Sequence, residues 1–149
     1  MTDTTNNLIH IINKQVANWT VLHMKLHNFH WYVKGTNFFA LHEKFEELYN
    51  EAAIHIDELA ERILALGNNP VATLREALEM ASIGEAEGKK DANQMIQSLV
   101  DDFTVLITEL KDGIEVANTM GDDSTGDMLI AIHQGLEKHN WMLKAYLEK

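Results

Sequence analysis

The first chemistry this chain offers is a set of histidine and carboxylate side chains at helical spacing between residues 30 and 61. His42 and Glu46 are four positions apart, and so are Asp57 and Glu61. Residues i and i+4 share one face of a helix, so each pair could present two ligands to a metal ion. The pairs lie 15 positions apart (42 to 57) in one apolar-periodic stretch. That is roughly 22 Å along a helix axis, whereas metal–ligand bonds are only about 2 Å long. One chain cannot wrap both pairs around one ion. Either they are half-sites completed by a second copy, or the carboxylates belong to a solvated acidic face with Glu43, Glu47, Glu51 and Glu58.

The offset between the pairs is about four turns plus 60°, which puts both beside the same apolar seam. A two-fold dimer packing this face antiparallel would bring His42 and Glu46 of one chain opposite Asp57 and Glu61 of the other. Two equivalent sites would follow from the symmetry. His30 and His42 lie six residues either side of Thr36, so a hairpin closing there sets them at similar height. His23, His27 and His30 form a stripe at i, i+4 and i+7, read either as ligands or as hydrogen-bonded interface residues. His139 falls on an apolar seam and reads as a satisfied structural histidine; His10, His55 and His133 receive no assignment. Asp122, Asp123 and Asp127 open the last helix, where capping and the helix dipole alone favour acids. No Glu-x-x-His occurs, which argues against the di-metal centre built inside a single bundle.

Four long amphipathic segments must position these groups. The first runs from about Leu8 to Val33, with Leu8, Ile12, Gln15, Trp19, Leu22, Leu26 and Phe29 alternating four and three apart. Gly35 stops it, and Thr36 or Asn37 can cap the next. The second carries the seam Phe38, Leu41, Phe45, Leu48, Ala52, Ile56, Leu59, Ile63 and Leu66, and ends at Gly67-Asn68-Asn69-Pro70. Thr73 to Glu76 reads as a capping box opening a short helix to about Ala81, followed by the polar connector Gly84 to Lys90. The third long helix holds Ile96 to Ala117, is broken at Met120-Gly121, and the fourth holds Leu129 to Leu147. Two tight hairpins joined by one long connection, Gly67 to Lys90, predict an all-α fold. This is the ferritin-like variant of the four-helix bundle, with a short extra helix in its crossover.

Composition narrows the function. The 149 residues suit one domain spanning residues 1–149. There is no cysteine, so disulfides, thiolate metal sites and cysteine nucleophiles are excluded. No apolar run approaches the ~20 residues of a membrane span, and the N-terminus lacks a secretion-signal pattern; a cytoplasmic protein is expected. The net charge of −11 opposes general affinity for nucleic acid and suits cations or simple solubility.

The blocks HW at 30–31, LHEKFEELY at 41–49 and DELAER at 57–62, continued by GDDSTGDMLIAIH and KHNWMLKAYL, closely resemble the Dps family. These are the DNA-binding proteins from starved cells, or mini-ferritins, and the resemblance covers essentially the whole chain. It implies a hollow homo-dodecamer with ferroxidase centres between two-fold-related subunits. His30, His42 and Glu46 would come from one subunit and Asp57 and Glu61 from its neighbour. Many members have aspartate in place of Glu46, whose extra methylene lengthens its reach. The implied substrate is Fe(II), oxidised preferably by hydrogen peroxide, with ferric mineral stored in the cavity. Zinc could occupy the same ligands. Trp31 would lie beside the centre as an oxidisable neighbour, or serve in interface packing. Asp123 and Asp127 match acids lining three-fold pores that admit iron, with Asn118 where related chains can carry another acid. DNA binding is expected to be weak, because residues 1–15 contain only Lys14 rather than a lysine-rich tail.

Overall fold

A computed structural model of the chain describes residues 3–149, and every regular element among them is helical. The elements are α1 (Asp3–Tyr32), α2 (Phe38–Ala65), α3 (Leu74–Met80), α4 (Ala92–Met120) and α5 (Asp123–Tyr146). Short turns fold α1 back on α2 and α4 back on α5, and α1 packs against α4 and α3. The structure thus has the expected bundle, the single crossover and the short helix within it. Among the described residues, no helix is long and apolar enough to cross a membrane.

The seams read from the sequence are the buried faces. Leu8, Ile12, Leu22, Leu26 and Phe29 of α1 meet Phe45, Leu59 and Ile63 of α2 and Ile96, Leu99, Phe103 and Leu106 of α4 in one continuous core. The polar member of the first seam, Gln15, is buried with them.

Two boundaries differ from the periodicity. Helix α1 begins at Asp3, ahead of Leu8, and α4 begins at Ala92, ahead of Ile96. Apolar spacing registers only turns that touch the core, and these first turns are largely polar. Asp91 starts α4 through a reciprocal capping box with Gln94 (2.8 and 2.9 Å), which satisfies donors that a helix start leaves unpaired. Thr73 caps α3 as expected, accepting from the Glu76 amide at 3.1 Å. Asn37 occupies the cap position of α2 but makes no capping bond. Its side chain instead donates to the Tyr146 hydroxyl at 2.8 Å, tying the start of α2 to the end of α5. Gly35 (φ +107°) and Gly121 (φ +74°) take the left-handed conformations that the two tight turns need.

Polar side chains of α1 fasten the crossover. The Val71 amide donates to Asn13 (2.8 Å), the Ser82 amide donates to Asn18 (2.7 Å), and Lys25 donates to the Gly84 carbonyl (2.9 Å). Lys25 also forms a buried ion pair with Asp102 of α4 at 2.7 Å. Burial pushes the Asp102 carboxyl above its usual range, against the opposing pull of the Lys25 ammonium. A raised carboxyl favours the fold at low pH, and that contribution is lost as pH rises through the folded value. Replacing Lys25 by Met would strand a buried carboxylate, expected to cost about 3–5 kcal/mol at neutral pH. Because protonation relieves the stranded charge, the gap to wild type in urea unfolding should narrow as pH falls through the carboxylate range. A gap independent of pH would contradict this role for the pair.

Candidate metal centre

The α1–α2 hairpin brings His30 and His42 together. His30 lies in the last turn of α1, where backbone carbonyls lack intrahelical partners. His42 Nδ1 donates to the His30 carbonyl at 2.8 Å, and His30 Nδ1 donates to the His42 carbonyl at 2.6 Å. The rings stack at 3.6 Å between centroids, 12° from parallel. Each Nδ1 therefore carries a proton, so Nε2 is the nitrogen through which each ring, when neutral, can bind a metal. A ring nitrogen bonded to a backbone carbonyl is the usual way a protein orients a metal-ligating imidazole.

Glu46 is exposed, one turn beyond His42. Its carboxylate accepts a hydrogen bond from the Tyr49 hydroxyl at 3.2 Å. Tyr49 also stacks on His27 (3.7 Å, 18°) and meets His30 edge-on at 5.3 Å. Partial burial raises the Tyr49 phenol pKa, and the bond to Glu46 raises it further, so the hydroxyl keeps its proton and donates. Tyr49 is absent from the residues read from the sequence. Its position, seven beyond His42 and three beyond Glu46, is the signal that could have found it.

The histidine stripe divides. His30 joins His42, while His27 packs between Tyr49 and His23 and donates from Nδ1 to the His23 carbonyl at 2.7 Å. Burial, with a smaller effect from the His27 charge, lowers the His23 pKa, which keeps that ring neutral. Trp31 is exposed, with its ring 5.3 Å from His27, so aromatic rings run from Trp31 through His27 to Tyr49.

Asp57 and Glu61 are exposed further along α2. Among the described residues, Asp57, Glu61 and the His30–His42–Glu46 group form no metal-sized cluster within one chain. The one such group is Glu47, Glu51 and His139. His139 is buried on its seam, satisfied by Glu51 at 2.7 Å. Of the unassigned histidines, His10 is exposed, His55 packs its ring against Trp19, and His133 lies 3.3 Å from Glu137.

The acids at the start of α5 also divide. Asp122 is the N-cap, accepting from the Thr125 amide at 3.0 Å and from Arg62 at 3.2 Å. Asp123 and Asp127 are exposed, as is Asn118. Burial pushes the Asp122 carboxyl up, but the Thr125 hydrogen bonds and the Arg62 charge outweigh it, so its pKa is lowered. A lowered carboxyl contributes stability above its unfolded value, about 3.9, and that contribution is lost as pH falls through the folded value. Asp122→Ala is expected to cost about 1 kcal/mol at neutral pH, with the difference shrinking in acid. Equal unfolding midpoints at pH 7 would count against the cap.

Comparison with known proteins agrees with this fold and hairpin. Residues 9–149 match the family described as Ferritin-like domain. General stress protein 20U of Bacillus subtilis is 64% identical over 143 residues, 96% of this chain and 99% of that protein. DNA protection during starvation protein 2 of Bacillus anthracis is 55% identical over 142 residues, 95% of this chain and 97% of that protein. The crystal structure of a Dps protein from Bacillus brevis superposes with a TM-score of 0.96 at 56% identity, covering 99% of both chains. This chain belongs to the Dps family of ferritin-like proteins.

Proposed function

We propose that the protein is a ferroxidase and iron-storage mini-ferritin. It oxidises Fe(II), preferably with hydrogen peroxide, at centres shared between two copies, and holds ferric mineral inside a hollow dodecamer. The observation that carries this reading is the His30–His42 pair, whose Nδ1 atoms are tied to backbone while both Nε2 atoms stay available. Such a pair is preorganised for a metal yet supplies only part of a coordination sphere. Asp57 and Glu61, exposed and roughly 22 Å along the same helix, cannot complete it in the same chain but can complete it for a two-fold neighbour.

Imidazole and carboxylate ligands with open positions suit Fe(II), which must bind, be oxidised and move on. Two Fe(II) ions supply the two electrons that reduce one hydrogen peroxide to two waters, with two protons consumed, so no hydroxyl radical need leave the centre. Zn(II) fits the same donors and would compete. Tyr49 holds the Glu46 carboxylate and restricts its longer reach, while Asp123 and Asp127 would draw cations to pores in the shell. Phe39, Trp31, Leu74 and Trp141 are all more than 60% exposed on the single chain, as expected of a surface that packs against further copies.

The second reading, direct DNA protection, is favoured by the name of the Bacillus anthracis relative. The net charge of −11 opposes contact with phosphate. Withdrawing Fe(II) and peroxide would protect DNA without touching it. Strong gel retardation at neutral pH and ordinary salt would favour the second reading.

Asp57→Ala should slow peroxide-driven Fe(II) oxidation at least tenfold at limiting iron; wild-type rates would remove Asp57 from the centre. Tyr49→Phe should slow it a fewfold while leaving Fe(II) stoichiometry intact, whereas lost stoichiometry would make Tyr49 structural. The decisive experiment co-assembles His42→Ala with Asp57→Ala subunits. Mixed shells should regain activity at interfaces where an intact histidine pair meets intact carboxylates. No recovery in shells verified as mixed would overturn the shared centre.

A further inference from the structure

Nine positions separate His42 from Glu51, which is two and a half turns of helix at 3.6 residues per turn and so a net half rotation about its axis. The opposite side of α2 from His42 therefore faces α5, and there Glu47, Glu51 and His139 present ligand atoms that all lie within 4.8 Å of one another. His139 is the fixed member, only 8% exposed, with Nε2 2.7 Å from a Glu51 carboxylate oxygen. Glu47 is exposed and adaptable. The group lines a cavity of about 450 Å³ that also contains His55 and Trp19. The Nδ1 of His55 is buried there without a hydrogen-bond partner.

The cluster already holds a cation. The Lys44 ammonium lies 3.4 Å from Glu47 and 3.4 Å from His139 Nδ1. We propose that Glu47, Glu51 and His139 form a second divalent-metal site, distinct from the His30–His42 centre, which takes Zn(II) or a similar late first-row ion and clasps α2 to α5. One imidazole and two carboxylates are a three-ligand zinc set that leaves a fourth position for water. Tetrahedral bonds of about 2.1 Å place neighbouring ligand atoms roughly 3.4 Å apart, a modest contraction of the present spread. Lys44 opposes the ion and must turn outward for it to bind. Once Lys44 has left Nδ1, the His139 proton passes from Nε2 to Nδ1, and the hydrogen bond between His139 and Glu51 gives way to two bonds to one metal. Helices α2 and α5 approach each other less closely than the partners within either hairpin, so a metal bridge between them ties the two hairpins together.

This proposal does not rest on the iron-oxidising reading, and its test removes that centre. Assembled protein carrying His30→Ala, His42→Ala and Asp57→Ala is dialysed to equilibrium against Zn(II). One Zn(II) per chain should remain bound and raise the thermal midpoint, since a ligand bound only by the folded state stabilises it. Adding His139→Gln should weaken that binding at least tenfold and abolish the thermal shift. Lys44→Gln in the same background keeps all three ligands and should tighten binding severalfold. Loss of all bound zinc in the background protein would overturn the proposal. So would retention unaffected by His139→Gln, which marks adventitious surface binding. If the His139 variant fails to fold, equal or weaker binding by the Lys44 variant overturns it alone.

Discussion

The reciprocal bonds between the His30 and His42 rings and each other's backbone carbonyls are the constraint on which the candidate centre depends. They lock the height at which α1 and α2 face one another and the tautomer of both imidazoles. A surface histidine pair joined only by stacking would be free to rotate and would lose conformational entropy on meeting a metal. Here that loss is met during folding, because His42 occupies a carbonyl at the end of α1 that would otherwise lack a partner. The left-handed turn at Gly35 makes the register possible, and the Phe29–Phe45 contact beneath it, 5.9 Å between ring centroids, is the hydrophobic floor.

Much of this was legible in the sequence because it follows from two periodicities. The spacing of Leu22, Leu26 and Phe29 against Leu41, Phe45 and Leu48 gave the hairpin. The equal distances of His30 and His42 from Thr36 gave their meeting. Sequence spacing did not reveal partners chosen by side-chain geometry across helices. Asn37 was a candidate cap by type, yet its amide reaches Tyr146, 109 residues away. Tyr49 lies beside both His27 and Glu46, although nothing in its residue type announces a bond to a carboxylate. His139 was correctly read as a satisfied histidine, but its partner Glu51 could be found only once α5 was laid along α2. Asp57 and Glu61 illustrate a different limit: they are exposed on the single chain, and the partner proposed for them would be a second copy, which one chain's spacing does not describe.

Helix α2 therefore serves different tasks on different faces. Phe45, Leu48, Leu59 and Ile63 bury one stripe in the core. His42 faces α1, Glu51 faces α5, and Glu46, Asp57 and Glu61 face outward. Such crowding explains why the acidic face seemed uniform in the sequence. Glu43, Glu46, Glu47 and Glu51 are neighbours in the chain, but rotation about the helix gives them different partners. Glu51 has its pKa lowered chiefly by its hydrogen bond to His139, against the effect of burial, whereas Glu46 is held by a neutral phenol.

Helix α2 runs unbroken from Phe38 to Ala65 and acts as a ruler. In the shared arrangement proposed above, the distance between the two centres of a pair would be set by helical rise, at roughly 22 Å, with no loop able to vary it. That separation is more than twice the screening length of about 8 Å at physiological ionic strength. Loading one centre with cations therefore adds little electrostatic penalty to loading the other. Under that proposal the two centres of a pair should fill independently, each gathering its own ions with little regard to whether the other is loaded.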